Sequence, residues 1–111
     1  MILSSKQGAV TVLSVDVTLD ADAGDQLRAA VRGIPRVGRP QLVIDLSQSQ
    51  LIDSAGCEAL LDARDEVLDV GGDCVLAGAS PLCADILAIA GLDEQLATFH
   101  GANEAVASFA R

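Results

Sequence analysis

The chain has 111 residues, half of them hydrophobic yet only two aromatic, with 16 acidic against 7 basic side chains and a formal net charge of −9. That length suits one domain, residues 1–111, with an aliphatic core. The acidity repels phosphate backbones and anionic lipid, and without Trp or Tyr the chain lacks stacking platforms for bases, so nucleic acid and membrane surfaces are poor partners and a basic protein face is a better one.

The opening MILSSKQGAV has no signal-peptide anatomy, and no apolar run reaches the ~18 residues of a membrane span, so a cytoplasmic protein without membrane insertion is expected. AVTVLSVDVTL (residues 9–19) is rich in β-branched residues with partial alternation and reads as one long strand or two short ones. In DADAGDQLRAAVRGI, Asp20 or Asp22 can cap a helix whose apolar positions are Leu27, Ala30, Val31 and Ile34, with Gly33 and Pro35 ending it. QLVIDL (residues 41–46) is a continuous apolar strand of the buried, parallel kind. A helix follows over about residues 54–70, stopped by Gly71 and Gly72, and CVLAGA is another buried strand. Ser80 followed by Pro81 starts a further helix, with Leu82, Ile86, Ile89 and Ala90 as its expected inner face. LATF is a weak strand, and Asn103 is the expected cap of a last short helix carrying Val106 and Phe109. Alternation of strands and helices predicts an α/β domain with a mostly parallel central sheet of about 4–5 strands and about 4 helices.

Cysteine chemistry is quiet in this pattern. Cys57, Cys74 and Cys83 have no C-x-x-C spacing and are odd in number, which fits reduced, packed thiols. With His100 the only histidine, a zinc site is not expected. No cofactor is expected either, because neither G-x-x-x-x-G-K-[ST] nor G-x-G-x-x-G occurs.

The informative seam lies after the second strand, in QSQLIDSAGCEALL (residues 48–61). Sites in open α/β sheets gather at the carboxyl ends of strands, which is where Asp53 and Ser54 fall. Ser54 could be no more than a helix N-cap, worth ~1 kcal/mol over Ala, with Asp53 favourable to the helix dipole. Gly56 fits that role poorly, since Gly costs ~1 kcal/mol against Ala inside a helix; it suggests that a backbone or a partner comes close there. A catalytic serine is disfavoured: DSAG lacks the G-x-S-x-G elbow, and His100 is the one candidate base, so no enzyme activity is expected.

Along the following helix, Glu58, Asp62, Asp65, Glu66 and Asp69 share one face, and Cys57, Leu60, Leu61, Val67 and Leu68 the opposite one. The acidic stripe is either a solvated face or a docking strip for arginines and lysines. Arg64 falls among the apolar positions, where it would snorkel or pair with a nearby acid.

VIDLS followed by IDSAG, then GG before a strand, then AGLDEQL, resembles the STAS domain family, the sulfate-transporter and anti-sigma-factor-antagonist domain. The likeness extends over almost the whole chain. VTLDADAGDQL is similar to the family's early G-x-L-D segment, with Val17 where glycine is usual, and Cys57 stands where a larger aliphatic residue is common. The resemblance implies a single STAS-like domain of the anti-sigma factor antagonist type, with Ser54 as its regulatory phosphorylation site. It implies binding to an anti-sigma factor that is also a GHKL-type serine kinase, release on phosphorylation, and reset by a PP2C-type phosphatase. ATP and magnesium would belong to the kinase. The expected partner-binding surface is the seam Asp53, Ser54, Ala55 and Gly56 together with Glu58, Asp62 and Asp65 of the acidic stripe. The alternative within the family is a constitutive subunit of an ABC-type lipid or solvent transporter, or of a larger signalling scaffold.

Overall fold

The computed structural model describes residues 1–35 and 38–110. The chain opens with a hairpin: β1 (Ile2–Gln7) turns at Gly8, whose φ is +62°, and returns as β2 (Val10–Val15). Then come α1 (Ala21–Arg32), β3 (Gln41–Asp45), α2 (Ser54–Asp69), β4 (Asp73–Ala77), α3 (Pro81–Ile89), a short 3₁₀ turn (Leu92–Glu94), β5 (Thr98–Phe99) and α4 (Ala102–Ala107). The five strands lie in the order β1-β2-β3-β4-β5; β1 is antiparallel to β2, and every later pairing is parallel. The mostly parallel α/β sheet anticipated from alternation is therefore present, with one strand, β1, that the pattern did not announce. Every β1 side chain beyond the half-buried Ile2 is exposed, so this edge strand has no apolar face to write into its sequence.

Burial follows strand alternation. Leu13, Val15, Leu42, Ile44 and Leu76 point to one face of the sheet, under α1, α2 and α3. Val10, Val12, Val43 and Val75 point to the other, against Ala105, Val106 and Phe109 of the α4 region. Asp20 caps α1, its carboxylate accepting from the Ala23 N–H at 2.9 Å. Gly24 lets α1 cross close to α2, because a Cβ there would sit 2.9 Å from that of Ala59.

Three expectations fail at the level of single elements. The isolated pairing of Leu19 with Ile52 lies beyond the end of β2, so residues 9–19 form one strand and a separate bridge. Asn103 sits inside α4, whose N-cap is Gly101. In α3 the inward residues are Cys83 and Leu87, with Ile86 half-buried against the core as expected, while Leu82 is 53% and Ile89 88% exposed and Ala90 is exposed too. Ser80 does cap α3, accepting from the Cys83 N–H at 3.2 Å, with Pro81 in its first turn. A helix reading PLCADILAI is apolar on nearly every side, so periodicity had no polar face with which to orient it.

Candidate functional site

Two loops meet at the start of α2. The Leu19 N–H donates to the Leu51 carbonyl at 2.9 Å, and the Asp53 N–H donates to the Leu19 carbonyl at 3.2 Å. This bridge extends the parallel pairing of β2 and β3 past their ends and brings the Leu19 backbone against the first turn of α2. Gly56 is the residue that makes room. A Cβ at this position would fall on the Leu19 carbonyl oxygen and lie 2.9 Å from its carbon. The close approach that a first-turn glycine suggests is thus to the chain's own backbone, and Gly56 itself is buried.

Ser49, which the sequence did not single out, braces the same junction. Its hydroxyl is buried at 2% exposure and donates to the Val17 carbonyl at 2.8 Å. The Cys83 thiol donates to the Ser49 carbonyl at 3.5 Å, tying α3 to the junction. A serine in a run of Ser, Gln and Leu gives no local sign that it will be enclosed.

Asp53, not Ser54, is the N-cap of α2. Its carboxylate accepts from the Gly56 N–H at 2.8 Å. Ser54 is the first helical residue, is exposed, and makes no hydrogen bond through its hydroxyl among the described residues. The end-cap account of this serine is therefore overturned: the structural task belongs to its neighbour, and the hydroxyl faces solvent. It borders an open groove of about 420 Å³ between α2 and α3, whose walls include Ile52, Cys57, Leu61, Ile86 and Ile89. The Cys57 thiol is pushed up from its ordinary value, first by burial and then by the Asp53 carboxylate, so it is neutral and packs as a small hydrophobe.

The acidic stripe is divided. Asp62 pairs with Arg28 of α1 at 2.8 Å, and Arg28 also holds Asp25 at 3.1 Å. Arg32 reaches Glu66 at 3.5 Å. Arg64 binds Asp65 at 3.1 Å and donates through Nε to the Gln95 carbonyl at 2.9 Å, which answers why an arginine sits beside apolar positions. Glu58 has no cation partner among the described residues. Leu68, expected on the buried face, is 39% exposed, and Ala59 and Ala63 take the inner positions. The structure thus gathers Asp53, Ser54 and Glu58 on an open surface beside the half-buried Ala55, and places Asp62 and Asp65 further along the helix with their arginines. Among the described residues no cluster of three metal-ligating side chains occurs, and no helix is long and apolar enough to cross a membrane.

The family model described as "Mlab, STAS domain" matches residues 2–109. The chain belongs to the STAS domain family. Similar solved structures of this STAS fold include an anti-sigma-factor antagonist (STAS) domain protein from Planctomyces limnophilus, with 21% identity over 99% of this chain and 98% of that one and a TM-score of 0.84. The anti-sigma factor antagonist SpoIIAA in its unphosphorylated form has 20% identity over 96% and 93% of the two chains, with a TM-score of 0.75. A sulfate transporter family protein from Wolinella succinogenes has 19% identity over 92% and 85%, with a TM-score of 0.82. No curated protein matches the sequence.

Proposed function

We propose that this STAS domain is an anti-sigma factor antagonist: a non-enzymatic, cytoplasmic regulator that binds an anti-sigma factor of the GHKL-type serine kinase class and is released when that kinase phosphorylates Ser54. A PP2C-type phosphatase would restore the binding form. The observation that carries this reading is the division of labour at the α2 start, where Asp53 holds the helix and leaves Ser54 exposed, its hydroxyl without a hydrogen bond among the described residues. The fold shared with antagonists, one of them described by its unphosphorylated form, supports it.

The physics is adequate for a switch. A phosphoserine adds about 1.5 to 2 negative charges. At a helix N-terminus the dipole offsets part of that load, by up to ~2 kcal/mol, so the domain can carry it. At an interface, one like-charge contact at about 4 Å in an effective dielectric of about 20 costs about 4 kcal/mol, which is about three decades of affinity.

Incubation with the cognate kinase and ATP, followed by intact mass and peptide mapping, tests the proposal. One phosphate on Ser54, absent from Ser54→Ala, is expected. A phosphate on Ser47, Ser49 or Ser80 with Ser54 unmodified overturns it. A constitutive subunit of an ABC-type transporter or a signalling scaffold is the second reading. It is favoured by the family model's description, which names Mlab and no antagonist, and by the sulfate transporter protein of the same fold. Ser54→Asp separates the two: it abolishes partner binding in a switch and leaves it intact in a constitutive subunit.

A further inference from the structure

The outward face of α3 is apolar and continuous with the groove at Ser54. Leu82, Ile86 and Ile89 recur at i, i+4 and i+7 and form one stripe along the helix. Leu82 is 53% exposed and Ile89 88%, while Ile86 is half-buried and forms a wall of the groove. Single exposed aliphatics are ordinary, but a stripe that runs into an apolar groove is a contiguous patch, and such patches mark contact surfaces.

Charge decides what covers it. Asp53 and Glu58 stand on the α2 side of the groove. Asp85, exposed and spaced i+3 from Leu82 and i−4 from Ile89, flanks the stripe on α3. None of these three acids has a cation partner among the described residues. Two copies of this chain packed face to face through a symmetric contact would bring these acidic rims together, which opposes self-association. An apolar face bordered by cations meets both features.

We infer that the Leu82–Ile86–Ile89 stripe and the groove beside it dock an amphipathic helix of a protein partner, its apolar side chains on the stripe and its lysines or arginines against Glu58 and Asp85. The inference deepens the proposed role of Ser54 by naming the contact that a phosphate there would disturb. The phosphate would stand at the groove wall beneath the seated apolar face, where the dianion loses much of its water and competes with Glu58, one turn away, for the partner's cation.

The test uses a short fluorescent leucine–lysine peptide of helical period, with a leucine–glutamate peptide as control, read by anisotropy at physiological salt and by NMR shifts of the full chain. The lysine peptide binds, the glutamate peptide does not, and the shifted resonances belong to α3 and the first two turns of α2. Leu82→Gln with Ile89→Gln alters exposed positions, leaves the melting temperature unchanged and weakens binding about tenfold or more. Glu58→Gln with Asp85→Asn weakens it by about threefold to tenfold. Shifts centred on the α1–α2 face, or undiminished binding by the double glutamine variant, overturn the inference. So does a dimer of the free protein that the glutamine variant dissolves, since the occupant is then a second copy. If the kinase labels Ser54 while the glutamine variant binds normally, the docking inference falls and the switch stands. If the peptide seats on α3 but Ser54 is never labelled and Ser54→Asp binds as well as the parent, the switch falls and the docking stands.

Discussion

Along α2, Asp62 and Glu66 meet Arg28 and Arg32 of α1, Asp65 meets Arg64 of its own helix, and Asp69 has no cation partner among the described residues. Over residues 54–61 the same helix borders an open groove, its acid Glu58 meets no cation among the described residues, and a bare hydroxyl stands at its tip. A helical wheel draws these acids as one stripe. The neighbours split it: two of its acids tie α2 to α1, one pairs within the helix, and Glu58 and Asp69 have no cation partner among the described residues. A run of like charge therefore reports on function only after the opposing elements are placed, because an arginine many residues away in sequence can cancel it.

The sharpest attempt to break this contrast is Gly56→Ala. The added methyl must displace the Leu19 backbone, and overpacking of this kind costs about 1–3 kcal/mol. For a domain of this size each kcal/mol lowers the melting temperature by about 4–8 °C. Thermal unfolding checks it, and an unchanged midpoint would mean that the two loops are not clamped. Next comes Asp53→Ala, expected to cost about 1 kcal/mol through the lost cap. Ser49→Ala should cost a similar amount, about 1 kcal/mol, by leaving the Val17 carbonyl without its donor. In urea titrations, Asp53→Ala should shift the midpoint and Ser54→Ala should not; the reverse order would restore Ser54 as the cap.

Smaller effects separate the two halves of α2. Arg28→Ala removes exposed ion pairs worth about 0.2–1 kcal/mol, and the loss should shrink as salt is raised. Glu58→Gln should change stability by less than about 0.5 kcal/mol, as expected of a surface acid without a partner. A double-mutant cycle pairing Asp62→Asn with Arg28→Ala should give measurable coupling, whereas Glu58→Gln with Arg28→Ala should be additive.

Much of the architecture was written locally. The continuous apolar runs of β3 and β4, the Asp20 cap, the Ser80–Pro81 start and the paired glycines after α2 each carry their own short-range chemistry. Gly56 was legible as an anomaly but not as a solution, since the atom it avoids belongs to Leu19. Misreadings occurred where a choice lay between equals. α3 is apolar on nearly every side, with Asp85 its one charged residue, so its buried side was undetermined; β1 is polar at the edge, so its strand character was invisible; and Asp53 and Ser54 are both good caps.

By itself the sequence determined the succession of elements from β2 onward, the parallel pairing and the location of an unusual seam between β3 and α2, because caps, breakers and apolar runs act over a few residues. Tertiary structure alone decided that Asp53 takes the cap, that α1 supplies arginines to two of the five acids of the stripe, and that Leu82 and Ile89 face outward on α3, Ile89 in the groove that Ser54 borders. Those outcomes depend on which atoms from distant parts of the chain compete for the same space and the same charge, and that competition exists only once the chain has folded.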